Sequence, residues 1–133
     1  MRELCLLVAV AFVLPVAHAQ EAKVFRASVN AGGVQVVEMV AGGYYFDPNV
    51  VIVKVNVPVE VRVRKKPGMI PHDITIDAAD AGVNVKEDLG SDVKSIRFTF
   101  TKTGEYAFYC SQKPFLLQSH REHGMEGKFQ VVQ

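Results

Sequence analysis

The chain has 133 residues, with 15 basic and 14 acidic side chains and a formal charge of +1 at pH 7. That balance, without a basic block, excludes nucleic acid and an anionic membrane surface as evident partners. The length suits one domain, which buries roughly two thirds of its surface on folding, and neither an internal repeat nor a low-complexity run divides it.

The first element is an export signal. Met1-Arg2-Glu3 carries one basic side chain, Leu4 to Val16 is an apolar run, and Ala17-His18-Ala19 supplies the small residues of a cleavage site. Cleavage is expected after Ala19, so that residues 1–19 are a signal peptide and residues 20–133 form the mature domain, placed in the periplasm or secreted. The apolar run is too short to cross a bilayer and is interrupted by Pro15, so no stable membrane insertion is expected. Cleavage removes Cys5 and His18, which leaves one cysteine, Cys110, and three histidines, His72, His120 and His123.

Along the mature chain, Val24, Phe25 and Val29 suggest a short first strand, and Val34 to Val40 a second that Gly42-Gly43 ends. Tyr44 to Asn49 reads as a strand end entering a turn fixed by Pro48. Val51, Val53, Val55 and Val57 share one parity, and after Pro58 the residues Val59, Val61 and Val63 alternate with Glu60, Arg62 and Arg64. Such alternation is a strand with one face on a core. Asn56-Val57-Pro58 is read as the turn between two antiparallel strands. Next, His72 has the parity of Ile74 and Ile76 and so points to the edge of the core. On parity alone, it reads as a core histidine with one hydrogen bond.

Ala78 to Ser91, rich in Asp, Gly and Asn, is expected to be loop with one helical turn. Ile96, Phe98 and Phe100 mark the next strand, Thr101 to Gly104 a hairpin turn, and Tyr106, Phe108 and Cys110 the inward face of the strand after it. Met125, Phe129 and Val131 share a parity in the last strand. About seven short strands with regular turn signals predict an all-β Greek-key sandwich. The start of the His72 strand, the end of the Cys110 strand and the start of the Met125 strand then meet at one pole.

An unpaired cysteine in an oxidising compartment needs a reason. One reading is an inert buried thiol with histidines scattered by chance. The other is a metal centre, because thiolate and imidazole donors select copper, zinc or nickel over calcium and magnesium. Two histidines, a cysteine and a weak axial methionine form the electron-transfer copper arrangement.

The end of the chain resembles the cupredoxins, the blue-copper fold of plastocyanin, azurin and the copper domains of nitrite reductases. The resemblance rests on Tyr109-Cys110, nine residues to His120 and four more to Met125, then Met125-Glu126-Gly127, with Phe46-x-Pro48 and Pro71-His72 upstream. It implies one copper ion cycling between Cu(I) and Cu(II), held by His72, Cys110, His120 and Met125. His123 is the alternative to His120; the four-residue spacing to methionine favours His120. The Cys-to-His loop is longer than in plastocyanin and nearer to the nitrite reductase type. Asp73 stands where many cupredoxins place Asn and Ser111 where they place its Ser or Thr partner, so the resemblance implies a bridge in which a carboxylate accepts from the hydroxyl.

The function this implies is an exported one-electron carrier rather than an enzyme. Redox partners are expected to dock at the apolar run Pro114-Phe115-Leu116-Leu117 near His120, which alternatively folds over the metal to exclude water. Lys65, Lys66, Lys113 and Arg121 offer a basic rim or a merely solvated one. The alternatives are copper storage or delivery, a nitrosocyanin-like open copper site with enzymatic function, which the histidine at position 72 disfavours, and zinc, to which Met125 adds nothing.

Overall fold

The structure, a computed structural model, describes residues 20–133, so the expected signal peptide lies outside the described residues. Ten strands form a two-sheet sandwich: β1 Val24–Arg26, β2 Gln35–Gly42, β3 Tyr45–Asp47, β4 Val50–Lys54, β5 Val59–Lys65, β6 His72–Ala78, β7 Val83–Leu89, β8 Lys94–Phe98, β9 Gly104–Tyr109 and β10 Glu126–Val132. One sheet has the order β1-β4-β10-β9-β6-β7 and the other β3-β2-β5-β8. Both are mixed, since β4 runs parallel to β1 and β10, and β2 parallel to β5.

The alternating valines explain why the two sheets close on each other. Val59, Val61 and Val63 of β5 and Val37 and Met39 of β2 meet Val51, Val53, Ile74, Ile76, Phe108 and Phe129 from the larger sheet, all of them buried. Each fully buried side chain of this size contributes about 1.5–3 kcal/mol relative to exposure. Gln35 is the polar exception in this interior. Its amide donates to the Lys54 and Val57 carbonyls, and its oxygen accepts from the Lys54 N–H at 2.6 Å, which satisfies the backbone where the chain leaves β4.

Three expectations about connections are corrected. Asn56 to Pro58 does not join two antiparallel neighbours, because β4 and β5 lie in opposite sheets and the turn crosses the sandwich. Thr101 to Gly104 likewise links β8 of one sheet to β9 of the other and is not a hairpin. Ala78 to Ser91 is mostly strand: after one 3-10 turn at Ala79–Ala81, β7 pairs with β6 along its whole length. With β7 added to the expected strands, the described residues form ten strands where about seven were expected.

The site is positioned by the neighbours β10, β9 and β6. β9 is antiparallel to both of the others, so the end of β9 lies beside the starts of β6 and β10. His72 opens β6, Cys110 directly follows β9, and Met125 directly precedes β10.

Candidate metal centre

Strand register places the side chains. Tyr109 sits opposite Glu126, so the next pair outward is Cys110 and Met125, and the Cys110 N–H donates to the Met125 carbonyl at 3.1 Å. Residues directly opposite in a sheet share a face. The thiol and the thioether therefore enter the same side of the sheet, and both residues are fully buried. Two positions further along, Gly127 faces Phe108. A Cβ on Gly127 would stand 2.4 Å from Phe108 Cζ and from the Asn49 carbonyl oxygen, so the absence of a side chain at 127 is what leaves room for the Phe108 ring near the Cys110 end of β9.

The loop from Cys110 to Met125 is pinned from within. The His120 N–H donates to the Gln112 carbonyl at 2.9 Å, and the Met125 N–H to the His120 carbonyl at 3.0 Å. Between them, Ser119 and Glu122 form a reciprocal cap. The Glu122 carboxylate accepts from the Ser119 N–H and hydroxyl, and the Ser119 hydroxyl accepts from the Glu122 N–H. This single turn sends His120 inward and leaves His123 exposed.

His72, Cys110 and His120 come together, all buried, with their donor atoms within 4.8 Å of one another. The separations are 3.2 Å between the two Nδ1 atoms, 3.5 Å from Cys110 Sγ to His120 Nδ1 and 3.9 Å from Cys110 Sγ to His72 Nδ1. Donors bonded to one ion at about 2.0–2.3 Å stand roughly 3–4 Å apart at near-trigonal angles, so the three atoms fit around a single soft or borderline cation. His123 is outside this group and stacks on Tyr44, with ring centroids 4.6 Å apart. Tyr44 also meets the His120 ring edge-on at 5.0 Å. It reaches both from a turn in which its own φ is +63°.

Burial holds both imidazoles below their ordinary pKa, with His120 adding to the effect at His72 and His123 at His120. Neutral imidazole is the form that ligates. Burial also pushes the Cys110 thiol up, while the N–H of Asp73, 3.4 Å from the sulfur, acts in the opposite direction. A bound cation is what turns such a thiol into a thiolate.

The apolar run of the loop does not fold over the cluster. Phe115, Leu116 and Leu117 are 90%, 87% and 64% exposed. Of the basic residues expected to rim it, Arg121 is engaged elsewhere, paired to Glu126 at 2.8 Å and lying 4.0 Å over the Tyr109 ring. Lys65 ends β5, Lys66 follows it and lines a small cavity with His72, and Lys113 lies in the loop between Cys110 and Met125.

Sequence reading did not single out Tyr44 or weigh the burial of Asp73. Gly42-Gly43 was the available signal for Tyr44, since paired glycines allow a turn that returns a side chain toward the pole. Asp73 is fully buried although its parity points away from the core, because Ser111 and Gln112 fold back over it.

Fold and cluster define a small β-sandwich with a thiol-and-imidazole donor set at one pole. The sequence matches the family model of the cupredoxin-like domain over residues 3–120, and the chain belongs to that family. The matched span includes His72, Cys110 and His120 and ends before Met125. No curated protein matches the sequence. Among solved structures, the fold is similar to the metal-binding domain of the Cu(I)-exporting P-type ATPase CopA of Streptococcus pneumoniae, at 20% identity and a TM-score of 0.60, covering 84% of this chain and 98% of that one. Auracyanin of Roseiflexus castenholzii is similar at 18% identity and a TM-score of 0.60, covering 80% and 99%. A fern plastocyanin is similar at 21% identity and a TM-score of 0.53, covering 72% and 100%.

Proposed function

We propose that the protein is an exported one-electron carrier that holds one copper ion through His72, Cys110 and His120, with Met125 as the weak axial donor. The observation that carries this reading is the buried triad of donor atoms, 3.2 to 3.9 Å apart. Copper bound there supplies a couple between Cu(I) and Cu(II) that a soft thiolate and two imidazoles accommodate in both states. The chain supplies rigidity, because every donor is anchored at a strand end or by backbone hydrogen bonds. Copper is favoured over zinc by the buried thioether on the thiol's face and by the neighbours: the auracyanin was studied in a reduced form, and the CopA domain with Cu(I).

A carrier is favoured over an enzyme by the space available. The cavity that His72 lines, with Gly42, Gly43, Lys66 and Ile70, is about 100 Å³, below the roughly 300–1,000 Å³ of small-molecule sites. The exposed run Pro114–Leu117 is proposed as the surface on which redox partners dock. Export follows from the Leu4–Val16 and Ala17-His18-Ala19 pattern.

Copper delivery is the second reading, favoured by the CopA likeness and by Met69, fully exposed in the loop before His72. Repeated chemical reduction and reoxidation of the copper-loaded protein against a Cu(I) chelator tests the two. A carrier retains its metal through the cycles, and a delivery protein surrenders Cu(I) to the chelator.

A further inference from the structure

The acidic residue that follows His72 has no cationic partner among the described residues. Asp73 is 0% exposed, and none of the ion pairs among the described residues includes it. Instead, Oδ1 accepts from the Ser111 N–H at 2.7 Å and the Thr75 hydroxyl at 3.4 Å, while Oδ2 accepts from the Ser111 hydroxyl at 2.7 Å and the Gln112 amide at 3.2 Å. Obligate N–H donors therefore face both oxygens. A carboxylate accepts all four of these bonds. The same residue follows His72 in the chain and donates its N–H to Cys110 Sγ at 3.4 Å.

The register explains how the carboxylate comes to lie there. Thr75 pairs with Tyr109, so two residues further out Asp73 falls opposite Ser111. At that point the strands exchange side-chain hydrogen bonds in place of backbone ones, and the Asp73 carboxylate closes the gap between β6 and the end of β9.

We infer that Asp73 is a positioning residue whose buried negative charge sets the redox balance of the site, stabilising the divalent over the monovalent metal. This rests on the copper reading above. A uniform anion beside the cluster attracts the doubly charged ion more strongly than the singly charged one, and burial without a counter-ion leaves that attraction poorly screened. The consequence is a lower reduction potential than the same four donors would have beside a neutral amide.

The test is potentiometric titration of the copper-loaded full chain with small redox mediators, comparing wild type with Asp73→Asn and Ser111→Ala. Asn keeps the side-chain shape and an oxygen for the Ser111 N–H but removes the charge. Its Cu(II)/Cu(I) ratio at fixed ambient potential is expected to fall about tenfold, an upward shift of about 59 mV for a one-electron couple. Ser111→Ala removes one clamp bond and keeps the charge, so its potential is expected not to rise. An unchanged or lower potential in Asp73→Asn overturns the inference, as does an equal rise in both variants, which would assign the effect to the clamp and not the charge. A wild-type chain that binds no redox-active copper overturns the copper reading, and the inference with it.

Discussion

Replacing Gly127 with alanine tests the packing beneath the site. The added Cβ would stand 2.4 Å from Phe108 Cζ, 2.7 Å from Phe108 Cε2 and 2.4 Å from the Asn49 carbonyl oxygen. Neither neighbour can recede freely. The Phe108 ring is fully buried and held edge-to-face against Phe46 at 5.3 Å and tilted against Phe129 at 5.1 Å. The Asn49 carbonyl accepts the Lys128 N–H at 2.8 Å, one of the bonds that join β10 to β4. Overpacking a filled core costs about 1–3 kcal/mol, and a weakened backbone hydrogen bond adds about 1 kcal/mol, so a loss of about 2–4 kcal/mol is expected. Urea denaturation of metal-free wild type and variant reads it as a lower midpoint at unchanged slope. A loss below about 0.5 kcal/mol, the range of ordinary surface substitutions, would refute the claim that Gly127 exists to admit Phe108.

Four further outcomes follow from the same geometry. His120→Ala should abolish the visible Cu(II) band while His123→Ala keeps it, because His123 stacks on Tyr44 outside the donor group; the reverse result in absorption spectra would exchange their roles. Glu122→Ala removes the reciprocal cap with Ser119 and should cost about 1 kcal/mol by denaturation. Glu60 accepts from Ser95 and Arg62 and pairs with Arg97, and these bonds lower its pKa to about 2. A folded pKa below the unfolded one gives stability that is present above the unfolded value, near 4.5, and lost as pH falls toward 2. Glu60→Gln should flatten the pH dependence of the denaturation midpoint in that window, and an unchanged dependence would remove Glu60 from the account. Phe115→Asp should slow electron self-exchange between the Cu(I) and Cu(II) proteins, measured by NMR line broadening, without changing the absorption band.

The inward faces were legible because apolar periodicity records burial. Phe108 and Cys110, and Ile74 and Ile76 with His72, share faces as their parity indicates, and all are buried. Connectivity was less legible. A turn within one sheet and a turn crossing the sandwich both deliver the next strand's valines to the same core, so parity could not place β4 and β5 in different sheets. β7 was hidden by its composition. It is an edge strand whose solvent face carries Asn84, Lys86 and Asp88, and polar residues there mimic a loop. The site was partly legible, because spacing and parity pointed to His72, Cys110 and His120, which do cluster, but not to what surrounds them. The Asp73 carboxylate is buried by side chains 38 and 39 residues away, a contact that only the register of β6 on β9 creates.

The central claim is that Cys110 and two imidazoles hold one copper ion, and absorption spectroscopy during Cu(II) titration of the protein tests it most directly. The account predicts an intense blue or green thiolate-to-copper band that saturates at one equivalent and is absent from Cys110→Ser. A red or colourless product, or a band that survives in Cys110→Ser, would contradict it.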